Sequence, residues 1–172
     1  MQVTMKKNII LVGFMGTGKS VVGKILAKKL NRDFLESDDM IEAKEKMSIK
    51  DIFEKRLEPY FRSVEKEAIK EAAKRENIVI SAGGGSIIDE DNFNSLKNSG
   101  IIICLKASPE TILERTKDLK TRPLLNVPNP KKRIEDLLAK REPYYNKADY
   151  TIDTDNLSVD DVVLKIITFV VS

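Results

Sequence analysis

Short apolar runs alternate with amphipathic stretches along this chain, in the order typical of strands and helices around a parallel sheet. The runs are rich in Ile and Val, and most are bounded by Gly, Asn or Asp, which favour turns. We predict five strands from them: Asn8 to Val12, Asp33 to Ser37, Asn77 to Ala82, Ile101 to Lys106 and Tyr150 to Asp153. The expected fold is therefore an α/β sandwich of three layers, with a parallel sheet between helices.

The segments between the strands carry apolar residues at helical spacing. One stripe follows Lys19 and another follows Pro59, and both are expected to face the core: Val22, Ile25, Leu26 and Leu30, then Phe61, Val64, Ala68 and Ala72. Helix starts are indicated at Ser48 and Ser158, each followed three residues later by Asp as in a capping box, and at Pro109.

One region, Thr116 to Pro130, breaks the alternation. It holds three prolines and has neither a helical nor a strand period. Loops of this length inside a compact domain are usually functional lids or disordered. The basic residues here favour a lid that covers a bound ligand.

The composition excludes several chemistries. The chain has 172 residues, which suits one domain, with one Cys and no His. An internal disulfide, a histidine-ligated zinc and a Ser-His-Asp triad are therefore excluded, and proton transfer falls to Asp, Glu, Lys or Tyr. The formal net charge of +3 is spread without a basic block, so no nucleic-acid partner is indicated.

No part of the chain predicts a membrane or secretory segment. No stretch approaches the roughly 18 apolar residues of a membrane span, and the run Ile9 to Val12 is too short for a signal peptide. We expect a cytoplasmic protein, with Met1 or Met5 as its natural start.

The sharpest motif is Gly-Phe-Met-Gly-Thr-Gly-Lys-Ser from Gly13 to Ser20, placed after a strand and before a helix. Its glycines allow backbone N–H groups to curl around a phosphate, Lys19 can reach the β and γ phosphates, and Ser20 can bind Mg²⁺. A bare glycine-rich turn would need neither the lysine nor the serine, so we predict a phosphate-binding loop.

The phosphate loop alone does not identify the class of nucleotide-binding protein, so other residues have to indicate it. Asn146 to Asp149 matches the Asn-Lys-x-Asp pattern with which GTPases recognise guanine, but it precedes a predicted strand instead of following one. We interpret it as a solvated helix end.

Carboxylates follow the second predicted strand: Glu36, Asp38 and Asp39. Ligands of open parallel sheets bind beyond the carboxyl ends of the strands, so Asp38 could accept the proton of an attacking hydroxyl. Asp38 or Asp39 could equally cap the helix that reaches Lys46. The spacing alone leaves both roles open.

Glycines and arginines complete the set of candidates. The third strand ends in Gly83, Gly84 and Gly85, where a ligand could approach the backbone or the chain could simply turn. Arg62, Arg122 and Arg141 could bind carboxylate or phosphate, and Arg62 could instead form a surface ion pair with Glu65.

Taken together, these motifs resemble the shikimate kinase family over nearly the whole chain from Lys6 onward. The matching segments, in order, are the phosphate loop, Phe34 to Glu42, Ser48 with Ile49, Phe53 through Glu65, Gly83 to Gly85, Arg115, Thr121 to Leu125, and Arg141 with Tyr145. The family fold implies a P-loop kinase with strand order 2-3-1-4-5, a substrate-binding segment around residues 34–63 and a lid near 116–128.

The resemblance implies transfer of the γ-phosphoryl group of ATP to the 3-hydroxyl of shikimate, in the route to chorismate and the aromatic amino acids, by a monomer. Asp38 would be the base, aided by Lys19 and Arg122. The nucleotide would be bound by Gly13, Gly16, Thr17, Gly18, Lys19, Ser20, Arg115 and Arg122. Shikimate would be bound by Asp38, Arg62, Gly83, Gly84, Gly85 and Arg141. Ser20 would bind Mg²⁺ directly, and Glu36 through water.

This chain departs from the family pattern at three positions. Glu36 replaces the usual Asp, while Leu57 and Met47 stand where Gly is common. Two other functions remain open: a kinase of a different small hydroxy acid such as gluconate, and a nucleotide-binding regulatory module without turnover.

Overall fold

Five parallel strands form one sheet in the order β2-β3-β1-β4-β5, as the family resemblance implies. This computed structural model describes residues 7–117 and 122–172. The strands are β1 (Asn8–Val12), β2 (Phe34–Glu36), β3 (Val79–Ser81), β4 (Gly100–Lys106) and β5 (Tyr150–Asp153). All five lie where the apolar runs predict them, although β2 and β3 are shorter than expected.

The α-helices of the described residues are α1 (Lys19–Lys29), α2 (Ser37–Glu45), α3 (Ile49–Ala73), α4 (Glu90–Ser99), α5 (Pro109–Arg115), α6 (Pro130–Tyr145) and α7 (Val159–Val171). Ser108 caps α5, and Ser158 and Asp161 form both bonds of the predicted capping box at α7. Ser48 accepts the N–H of Asp51 at the start of α3. The apolar pattern did not single out α4.

Helices cover both faces of the sheet. Ile9 and Leu11 of β1 pack in a cluster with residues of α1 and α7, whereas Ile10 and Val12 pack in a cluster with residues of α3, α4 and α6. Burial on both faces explains why the central strand is apolar at nearly every position. The predicted stripes of α1 and α3 face these cores and the smaller one described next.

A third, smaller core joins α2 to α3. Ile41 packs with Ile52, Phe61, Val64 and Ala68, away from the sheet. This core attaches the segment between β2 and the middle of α3 to the rest of the molecule.

The structure excludes one role that the sequence left open and adds a short turn to the predicted loop. Helix α2 begins at Ser37 with Glu36 at its N-cap, so Asp38 and Asp39 lie inside the first turn and neither caps the helix. The region from Thr116 to Pro130 is not free of helical structure, because Pro123–Leu125 form a 3-10 turn and Leu125 is buried. Part of the predicted lid, 118–121, and both candidate start residues lie outside the described residues.

Candidate active site

The phosphate loop joins β1 to α1 at the carboxyl edge of the sheet. Gly16 and Gly18 have φ of 79° and 95°, a backbone region that L side chains rarely adopt. Gly13 is required for a second reason, since a Cβ there would lie 2.3 Å from the carbonyl oxygen of Leu105 in β4. The strand therefore turns into the helix in the way that the motif predicts.

Lys19, the first residue of α1, folds back over this loop. Its ammonium group donates to the carbonyls of Gly13 at 2.7 Å and Phe14 at 3.0 Å. Burial lowers the pKa of Lys19 to about 8, opposed by the negative charge of Asp38 and reinforced by the positive charge of Arg122. Lys19 and Asp38 thus face the same small volume.

The next residue, Ser20, donates its hydroxyl hydrogen to the carboxylate of Glu36. Glu36 ends β2, which brings it beside the start of α1 although 16 positions separate the two residues. The longer side chain in place of the family's usual Asp reaches the serine directly.

Asp38 lies in the first turn of α2 with its carboxylate directed into the cleft. Its Oδ1 atom is buried and has no hydrogen-bond partner among the described residues. Burial raises its pKa, helped by Glu36, while Lys19 and Arg122 act in the opposite direction. A buried carboxylate oxygen without a partner is costly unless a ligand satisfies it, so this geometry favours the functional role.

Charged side-chain ends lie close to two of the three glycines after β3, Gly83 and Gly85. A Cβ on Gly83 would lie 2.9 Å from Glu65 Oε2, and one on Gly85 would lie 2.8 Å from a terminal nitrogen of Arg62. The N–H of Gly83 already donates to Ser37 Oγ at 3.0 Å. The chain also turns here, with Gly84 and Gly85 in a turn, but none of the three glycines has positive φ, so the turn itself does not require glycine.

Two guanidinium groups meet over these glycines. Arg62 forms ion pairs with Glu65 at 2.9 Å and Glu58 at 3.2 Å. The pair with Glu65 that the spacing indicates is present, but it is not a surface pair, because the side chain of Glu65 is only 2% exposed. Burial raises the pKa of Glu65, opposed by Arg62.

Arg141 is the more deeply buried of the two arginines, with 3% of its surface exposed. Its guanidinium lies 5.3 Å from the ring centre of Phe14, and its Nη1 atom is buried without a partner in the described structure. Tyr145, one helical turn later, donates its hydroxyl to the carbonyl of Gly84, and burial raises its pKa to about 12.

The remaining predicted residues lie around the loop. Arg115 donates to the carbonyl of Gly16 and to Thr154 Oγ1, both at 3.2 Å, and so joins the loop to the end of β5. Arg122 lines the cleft. The side chain of Thr17 is buried beneath the loop and donates to the carbonyl of Phe14 at 2.7 Å.

The Asn-Lys-x-Asp tetrapeptide lies away from this site. Asn146 caps the C-terminus of α6, and Asp149 accepts the N–H of Ile102 at 2.8 Å and pairs with Lys97. Asn146, Lys147 and Asp149 are exposed and follow the end of α6, which confirms the interpretation as a solvated helix end. The Asp149 carboxylate is already bound by Ile102 and Lys97, so it is not available to recognise guanine.

The phosphate loop, Asp38, the three glycines after β3 and the four arginines line one cleft of about 650 Å³. Sequence reasoning did not assign it an aromatic wall: Phe53 and Phe61 line it with ring centres 4.8 Å apart. Glu65, which we considered only as a surface partner of Arg62, also lines it. The sequence signal for its place in the site was its position three residues after Arg62, on the same face of α3.

The comparisons with known proteins agree with this geometry. The family model described as shikimate kinase matches residues 15–171. The chain belongs to the shikimate kinase family. A shikimate kinase of Thermodesulfovibrio yellowstonii is 49% identical over 94% of this chain and 93% of its own length.

Solved structures give the same family. A shikimate kinase from Acinetobacter baumannii in complex with shikimate superposes with a TM-score of 0.94 at 42% identity, covering 96% of this chain and 93% of that one. A gluconokinase from Sinorhizobium meliloti superposes with a TM-score of 0.63 at 19% identity, covering 95% and 91%, which shows a shared fold alone. In residues 7–117 and 122–172 of this shikimate kinase family member, no helix is both long and apolar enough to cross a membrane.

Proposed function

We propose that this chain transfers the γ-phosphoryl group of ATP to the 3-hydroxyl of shikimate, giving shikimate 3-phosphate and ADP. One observation carries the proposal: Asp38 Oδ1 and Arg141 Nη1 are buried with no hydrogen-bond partner among residues 7–117 and 122–172, and both residues line the cleft that the phosphate loop enters. An acceptor for a hydroxyl proton and a donor for a carboxylate are what a small hydroxy acid requires.

The phosphate loop would bind the nucleotide. Backbone N–H groups of Gly16 and Gly18 at the start of α1 suit an anion, and the ammonium of Lys19 would move from its backbone carbonyls to the β and γ phosphates. Arg115, held between the loop and Thr154, would lie against adenine. Arg122 would approach with the lid and offset charge on the transferred group.

Asp38 would take the proton of the attacking hydroxyl. Its raised pKa makes it a better proton acceptor than an ordinary exposed Asp, while the neighbouring Lys19 keeps the ionised form accessible. The hydroxyl oxygen then attacks the γ phosphorus, and the bond to the β-phosphate oxygen breaks.

The carboxylate of shikimate would bind to Arg62 and Arg141. Two guanidinium groups can form a planar, bidentate contact that a neutral group cannot form. The aromatic wall of Phe53 and Phe61 supplies an apolar surface for the ring.

The residues present also fit Mg²⁺, which such transfers use. The described residues hold no cluster of three or more Asp, Glu, Cys or His side chains for an all-protein metal site, and Mg²⁺ usually takes one or two protein oxygens plus substrate phosphates. Ser20 Oγ and the Glu36 carboxylate, in mutual contact beside Lys19, are such oxygens. When bound, the ion neutralises charge on the β and γ phosphates.

Arg62→Ala tests the assignment of the substrate carboxylate. We expect the KM for shikimate to rise about 10-fold or more, because a charge-assisted hydrogen bond is lost, with little change in the KM for ATP. Methyl shikimate, which lacks the negative charge, should be a poor substrate for the unmodified enzyme. Its KM should change little when Arg62 is replaced by Ala.

The matched control is Lys70→Ala, which removes an exposed cation from the same helix and should leave both KM values unchanged. Equal losses for shikimate and its methyl ester would show that Arg62 does not contact the carboxylate.

A further inference from the structure

Helix α3 contains one strained residue, Leu57. Its φ of 68° and ψ of 166° fall in a region that is essentially confined to glycine. The side chain is 66% exposed, so burial of the leucine does not compensate for this backbone conformation.

Leu57 divides α3 into two parts that supply different walls of the substrate cleft. The part before it carries Ile49 and Phe53, and the part after it carries Phe61, Arg62 and Glu65. The backbone angles of this one residue therefore determine how the apolar wall and the arginine are placed relative to each other.

Side-chain contacts cross the bend and hold it in this form. Phe53 contacts Phe61 with ring centres 4.8 Å apart, and the guanidinium of Arg56 lies 5.2 Å from the ring centre of Tyr60. Strained residues persist where surrounding contacts fix them and are enriched at functional sites. Here the fixed feature is the angle between two walls of one cleft.

We propose that Leu57 is a positioning residue that weakens substrate binding: its strained backbone favours other angles between the two walls, so the acceptor must draw Phe53 and Arg62 into the bent arrangement. Glu58, the next residue, pairs with Arg62 at 3.2 Å. The bend at Leu57 therefore also places one of the two carboxylates that orient the guanidinium of Arg62. This proposal rests on the proposed function, because the substrate concerned is shikimate.

Leu57→Gly separates strain from positioning. Glycine adopts positive φ freely, so the melting temperature should rise by about 3 °C. Because the bent arrangement then carries no strain, the KM for shikimate should fall about three-fold, with kcat and the KM for ATP unchanged. A structural role alone would change the melting temperature without this split between KM and kcat.

Leu57→Ala is the control, because alanine keeps the Cβ that makes positive φ costly while losing the exposed side chain. It should match the unmodified protein in melting temperature and in the KM for shikimate. The proposal is overturned if Leu57→Gly raises stability but does not lower that KM, if it lowers stability, or if alanine reproduces the effect of glycine. Failure of the unmodified enzyme to phosphorylate shikimate would instead overturn the proposed function, and the thermal shifts would still report the strain.

Discussion

Asp38→Asn is expected to lower kcat at least about 100-fold, the low end of what general base catalysis contributes. Asparagine keeps the size of the Asp38 side chain and one acceptor oxygen, but it cannot take the proton of the attacking hydroxyl. The KM for ATP should stay within about two-fold, because Lys19 and the loop glycines bind the phosphates. Steady-state kinetics with each substrate varied in turn measure both effects.

The control is Asp39→Asn in the same helical turn. Asp39 is exposed and does not line the cleft, so this variant should keep nearly full activity. Equal activity of the Asp38 and Asp39 variants would remove the assignment of Asp38 as the base.

Arg141→Lys is expected to raise the KM for shikimate by about 10- to 100-fold, the cost of one charge-assisted hydrogen bond in a buried site. Lysine keeps the positive charge but lacks the planar fork, and the unpartnered Nη1 atom is the donor that is lost. Calorimetric titration of the variant with shikimate should show a loss of affinity as large as the rise in KM.

Lys140→Ala provides a comparison at the adjacent, exposed position of α6, where shikimate affinity should not change. If Arg141→Lys also left that affinity unchanged, Arg141 would serve only to pack against Phe14.

The sequence predicted those parts of the site that depend on local pattern. The phosphate loop was identified because glycine spacing, a preceding strand and a following helix together specify its backbone. Placing Asp38 near the loop needed only the rule that the carboxyl ends of parallel strands share an edge.

Other features could not be predicted because they depend on contacts between distant segments. Nothing near Gly83 in the chain indicates that the carboxylates of Glu65 and Asp38 lie beside it, or that the guanidinium of Arg62 lies beside Gly85. The role of Asp38 was open for the same reason: its position inside the first turn of α2, with one oxygen unpartnered, is visible only in three dimensions.

Leu57 shows a different limit. Leucine favours helices, so its own propensity gives no sign of the bend. The available signals were Pro59 two residues later and the Gly that is common at this position in the family. The contacts of Phe53 with Phe61 and of Arg56 with Tyr60 outweigh that propensity.

The most direct test of the central claim is ADP release from Mg·ATP with and without shikimate, with gluconate and quinate as control acceptors. We predict release that depends on shikimate, with shikimate 3-phosphate formed in equal amount, and little stimulation by gluconate or quinate. ATP binding without release in the presence of any of these acceptors would contradict a shikimate kinase and favour a nucleotide-binding regulatory module. Release with gluconate alone would indicate a kinase of a different hydroxy acid.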